Sequence, residues 1–178
     1  MKKIIVILFL SFILVSPLKA SSPFALGLDL GGAFPLSKND QYTASFYVGP
    51  KLEIPGMFFS YNYYTEIADV STGTIDLHTF NVGVRRDIGD AIIIPYFAAG
   101  GGFALFNAPG TYLNGMTFFG IFGLDYKLDR LIKSNRMTMG IFARYNSLLF
   151  ESKELFAPGD DFKFHQMITS AFNVSIYF

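Results

Sequence analysis

The chain has no cysteine. That excludes a disulfide scaffold, thiol catalysis and a lipoprotein anchor on Cys, so whatever stabilises the fold is not a covalent staple. Past residue 20 it also lacks any run of 18 or more apolar residues, and without one no α-helix in that part can span a bilayer. There is no nucleic-acid-binding signature, linker, low-complexity tract or repeat beyond a hairpin spacing. The length that remains suits one domain.

What is present begins with "MKKIIVILFLSFILVSPLKA". Lys2 and Lys3 precede an apolar stretch from Ile4 to Val15 and a short segment ending in Ala20, the layout of a secretory signal peptide cleaved after residue 20. The apolar run is shorter than the ~20 residues a retained membrane anchor needs. Cleavage leaves residues 21–178 as the mature domain and removes three lysines, leaving 11 basic against 14 acidic residues.

Composition then poses a contradiction. The chain is 51% hydrophobic and 17% aromatic with a mean hydropathy of +0.37, yet has no spanning helix after the leader. An exported chain of this kind can still live in lipid as a closed β-barrel, where every backbone N–H and C=O pairs with a neighbouring strand. Read for a period of two, the mature part yields eight alternating segments. Their apolar faces include Leu26, Leu28 and Leu30; Phe46 and Val48; Phe59, Tyr61 and Tyr63; Phe80, Val82 and Val84; Phe97, Ala99 and Phe103; Phe118, Phe122 and Leu124; Met139, Ile141 and Ala143; and Phe172, Val174, Ile176 and Phe178. The predicted fold is an all-β, eight-stranded antiparallel up-and-down transmembrane barrel.

Charge is the sharper test. Asp29, Lys51, Glu53, Arg85, Asp125, Lys127 and Arg144 all fall on the face opposite the apolar set. On the lipid side near midplane a Lys or Arg would cost about 2–4 kcal/mol. The alternation predicts outer links at Pro35–Gln41, Glu66–Asp76, Asn107–Gly115 and Asn146–Lys163, averaging longer than periplasmic links at Ile54–Gly56, Arg86–Ala91 and Asp129–Arg136. "IPGM" and "DIGDA" carry tight-turn chemistry, while Pro95 at the start of its strand and Pro50 near the end of its own are tolerable. Tyr126 and Phe178 are expected in a periplasmic aromatic girdle, and Tyr42, Tyr63 and Tyr145 in an outer one.

"PYFAAGGGF" (Pro95–Phe103), "GLDYKL" (Gly123–Leu128), "ARY" (Ala143–Tyr145) and the terminal Phe178 behind alternating apolar residues resemble the small outer-membrane barrels of the outer membrane protein A transmembrane-domain type. The resemblance covers the mature chain and implies an outer-membrane location. It also implies that Phe172, Val174, Ile176 and Phe178 form the signal read by the outer-membrane assembly machinery, with periplasmic chaperones and outer-membrane lipid and lipopolysaccharide as the other partners. No peptidoglycan-binding domain follows the barrel in this sequence, so wall tethering is not supported.

An eight-stranded interior is just wide enough to be filled by side chains. Its charges are therefore expected to satisfy one another as a structural network, the alternative being a small pore. Asp29 and Arg144 are expected to join across the last strand. An enzyme acting on lipopolysaccharide is the second alternative, with Ser71, Asp76 and His78 as an imaginable grouping and His165 near the same rim. Neither histidine sits in a motif of such enzymes, so the expectation is no catalysis and no cofactor. The long link "NSLLFESKELFAPGDDFK" allows adhesion or receptor-like contacts. A soluble lipocalin-like carrier would place apolar residues inside and charges outside, the reverse of this pattern. The expected protein is a monomeric structural or surface-interaction barrel with a largely plugged interior.

Overall fold

The computed structural model describes residues 24–36, 44–70, 73–89, 91–108, 111–128, 137–151 and 162–178. Period-two alternation becomes eight strands: β1 (Ala25–Pro35), β2 (Ser45–Ile54), β3 (Met57–Val70), β4 (Gly73–Asp87), β5 (Ile93–Ala108), β6 (Thr111–Lys127), β7 (Met137–Glu151) and β8 (Phe162–Tyr177). Each pairs antiparallel with its neighbours in sequence, and β1 pairs with β8 from Ala25↔Tyr177 to Pro35↔Met167, so the sheet closes and keeps no edge. The expected fold is the one observed.

Following cross-strand partners once around the wall from Ala25 returns to β1 at Pro35, ten residues further on. A stagger of this kind tilts the strands by roughly 35–45° to the barrel axis. Both faces follow from the pleat. The apolar set of every strand points outward, with Phe46 55% and Ile141 59% exposed, and the opposite set fills the interior.

Inside, small residues face large ones. A Cβ on Gly123 would overlap the ring of Tyr96, and one on Gly83 would meet the rings of Phe58 and Phe119. Phe58 and Phe119 themselves pack at 5.7 Å between centroids. The turn between β2 and β3 is Pro55–Gly56, with Gly56 at φ 76°, and Gly89 after β4 has φ 85°. Both are positions where a side chain would strain the backbone.

Three expectations need correction. The links foreseen at Glu66–Asp76 and Asn107–Gly115 are mostly strand, and the one at Asn146–Lys163 is strand at both ends, because β3 to β8 run on past the apolar band and leave residues 71–72, 109–110 and 152–161 between them. Their ladders hold through, for example, Asp76↔Asn107 and Asn107↔Tyr112. Alternation weakened there because the outward residues become polar above the band, which removes the sequence signal without removing the hydrogen bonds. Second, Pro50 lies in the middle of β2, not near its end. Its lack of an N–H coincides with a gap in the β2–β3 ladder between Val48↔Tyr63 and Lys51↔Ser60, while pairing to β1 continues through Leu28↔Pro50. The third, Asp29 with Arg144, belongs to the interior. Residues 1–20, Tyr42 and "DRLIKSNR" (129–136) lie outside the described residues.

Candidate functional site: a layered barrel interior

The chemistry inside is sorted along the axis. At the end where β1 begins and β8 ends, alternate residues of β1, β2, β4 and β6 bring Asp29, Lys51, Glu53, Arg85 and Asp125 into one chain of contacts. Lys51 Nζ lies 3.2 Å from Asp29 Oδ1 and 3.0 Å from Glu53 Oε1. Arg85 Nη1 is 3.4 Å from Glu53 Oε2, its Nη2 donates to Asp125 Oδ2, and its Nε is 2.8 Å from Asp87 Oδ1 at the solvent edge. The guanidinium also sits 3.9 Å from the centroid of the Tyr96 ring.

Neutral donors complete the acceptors. Ser175 Oγ donates to Glu53 Oε1 at 3.1 Å and Asn173 Nδ2 to Asp125 Oδ1 at 3.0 Å. Tyr47 donates to Asn62 Oδ1 at 2.9 Å, with Asp29 Oδ2 at 3.3 Å as the longer alternative. Buried charges survive when paired and hydrogen-bonded in this way.

Arg144 stands apart from that chain. Arg144 is 1% exposed, lies 4.1 Å over the Phe119 ring, and its Nε and Nη2 find no hydrogen-bond partner among the described residues. It does not join Asp29 across β8, because Arg144 is in register with Thr169 and Asp29 with Asn173. Four residues of strand separate those positions, about 13 Å. Lys127 ends β6 beside Thr138, its backbone N–H donating to Ile92 O at 2.9 Å. The void among Asp29, Lys51, Arg85 and Arg144 is about 20 Å³. That is room for about one water-sized occupant.

Towards the other end the interior changes character twice. A ring of amides and hydroxyls comes first, with Asn62 Nδ2 and Asn81 Nδ2 donating to Thr79 Oγ1 at 2.9 and 2.8 Å and Asn146 Nδ2 to Thr169 Oγ1 at 3.2 Å. Beyond it Tyr64, Leu77, Ala104, Phe106, Leu148 and Met167 form an apolar layer, all buried. Sequence reasoning missed Leu77, Phe106, Leu148 and Met167. The first three sit inside or beside stretches read as loops, and an apolar residue in a loop carries no facing information until the strand is known to continue.

On the outer wall, His78 Nδ1 is 2.7 Å from the Tyr61 hydroxyl, its ring stacks 4.9 Å from that of Tyr63, and Tyr63 donates to Asp76 Oδ2 at 3.1 Å. A serine triad needs its carboxylate on the histidine Nδ1; here a tyrosine occupies it. Ser71 and the side chain of His165 lie outside the described residues. No group of three His, Cys, Asp or Glu side chains placed to hold a metal occurs among the described residues.

At the seam, Phe172, Ile176 and Phe178 are exposed on the wall and Val174 is half-buried there. The backbone fold as a whole is what solved structures match. The chain aligns with Neisserial surface protein A at a TM-score of 0.64 and 14% identity, over 90% of this chain and 100% of that one. The fold is that of the small outer-membrane barrels. Weaker likenesses are the N-terminal β-barrel domain of Pseudomonas aeruginosa OprF, at a TM-score of 0.49, 11% identity and 86% and 97% coverage, and the outer membrane enzyme PagL, at 0.42, 12%, 86% and 99%. No family model and no curated protein matches in sequence.

Proposed function

We propose that the chain is an outer-membrane barrel with a closed interior, exported by a cleaved leader at residues 1–20, which acts as a structural or surface-interaction protein without catalysing a reaction. The observation that carries this is the pairing of opposite surfaces: an apolar, aromatic exterior suited to lipid around an interior of ion pairs capped by an apolar layer. The end where β1 begins and β8 ends faces the periplasm. A water path would have to cross both the salt-bridged layer and the apolar one, and an apolar constriction resists wetting.

The Phe178 end of β8 serves as the signal read during assembly, and Asp29, Lys51, Glu53, Arg85 and Asp125, with Lys127 and Arg144 beside them, serve stability rather than transport. Planar-bilayer recording on the purified barrel tests the closed interior, with gel mobility before and after boiling as the control for a folded barrel. The expected result is a heat-shifted band and no sustained openings. Sustained openings from heat-shifted protein overturn the closed-interior reading, and a soluble periplasmic protein with no shift overturns the membrane reading.

A further inference from the structure

Above the apolar band on the β3–β6 side, the outward residues form a belt of a different kind. Tyr63 is in register with His78, Asp76 with Asn107, and Asn107 with Tyr112, while Asn114 faces Leu105 one step below. The belt therefore runs unbroken over four strands. Part of it is fixed in place by the Tyr63 to Asp76 hydrogen bond and the Tyr61 contact to His78. The rest is open: Tyr112 is 79% exposed, and Asn107 and Asn114 are exposed beside it.

We infer that this belt binds the sugar headgroup of an outer-leaflet glycolipid. Three observations argue for that occupant. The belt faces sideways in the membrane plane and continues the wall formed by Phe80, Phe103, Leu105 and Phe118 without a step, so what lies against it at that height is the headgroup of a lipid whose chains cover the residues below. Its chemistry is carboxamide, phenol, imidazole and carboxylate, able to donate to and accept from hydroxyls, and none of its six side chains is a Lys or Arg that would single out phosphate. An exposed tyrosine ring between two carboxamides offers an apolar face to the C–H side of a sugar and hydrogen bonds to its rim.

The inference rests on the proposed orientation, with the start of β1 and the end of β8 in the periplasm. The test uses the full mature barrel purified in a neutral detergent and titrated with lipopolysaccharide or with phosphatidylglycerol, bound lipid being counted by native mass spectrometry. Tyr112→Ala combined with Asn114→Ala is expected to weaken lipopolysaccharide binding about tenfold or more, as loss of a ring contact and a hydrogen bond would, and to leave phosphatidylglycerol binding unchanged. Tyr112→Trp, which keeps a stacking face, is expected to retain binding and guards against a folding defect. Equal lipopolysaccharide affinity in wild type and double variant overturns the belt, and so does equal weakening for both lipids. Orientation is read separately from Tyr112→Cys in this cysteine-free chain, labelled in intact cells by a membrane-impermeant maleimide. Labelling upholds the orientation, whereas labelling only after lysis overturns it, and the inference with it.

Discussion

The rings of Phe24 and Phe178 stack at 5.2 Å with an 18° interplanar angle, and the backbone N–H of Phe178 donates to Phe24 O at 3.0 Å. The first and last described residues thus clasp one another at the terminal end of the β1–β8 seam. This clasp is the last contact of the β1–β8 ladder at that end. It gives Phe178 both a ring partner and a backbone acceptor at that end of the seam.

Deleting Phe178 is expected to lower the amount of heat-shifted barrel in the outer membrane several-fold, while the same protein refolded in detergent still folds, with a modestly lowered urea midpoint. One hydrogen bond and one ring pair contribute only about 1–3 kcal/mol to the folded state. A normal outer-membrane level for the truncation would count against an assembly role for the terminal residue. A large drop in the urea midpoint would instead make the clasp chiefly a stabilising contact.

Arg85 joins Glu53, Asp87 and Asp125, three carboxylates contributed by three different strands. Replacing it with Met leaves Glu53 and Asp125 close together without their shared cation. Breaking a buried pair on one side costs about 3–5 kcal/mol, so Arg85→Met is expected to lower the urea midpoint strongly. Adding Glu53→Gln and Asp125→Asn to the same chain is expected to recover part of the loss. A triple variant no better than Arg85→Met would mean that the arginine acts through its packing on Tyr96 instead.

How much of this was legible beforehand depends on which signal each residue carries. Leu26, Phe46 and Phe172 announced their face because each sits in an unbroken alternation, and the charges marked the other face. Leu77 and Phe106 could not announce theirs, since outward neighbours such as Asp76 and Asn107 are polar above the band and break the pattern while the strands continue. Partner choice was less legible still. That Asp29 meets Lys51 depends on the register of β1 with β2, and that it misses Arg144 depends on the registers of β1 and β7 with β8; a two-residue slide would leave the alternation of faces intact while changing which charges meet between strands.

Gly123 is expected to tolerate no side chain. Tyr96 lies where its Cβ would be, and overpacking of this kind costs about 1–3 kcal/mol. Gly123→Val should lower the thermal or urea midpoint, and Tyr96→Ala in the same chain should relieve part of the loss, since it opens the space the valine needs. The double-mutant cycle measures it directly: additive effects would show that Gly123 is required for the backbone and not for the ring.

The exterior makes the last prediction because it separates a membrane barrel from a water-soluble one. Phe46 and Phe122, both exposed on the apolar wall, lie on β2 and β6. An Arg near the midplane of a bilayer costs about 2–4 kcal/mol and less towards an interface, whereas on a water-facing wall the same change would be neutral or would improve solubility. Phe122→Arg is therefore expected to reduce folding into lipid vesicles while leaving detergent-refolded protein less affected, since a micelle lets the guanidinium reach water. Equal stability of Phe122→Arg and wild type in lipid would remove the reason for reading this wall as the lipid-facing one.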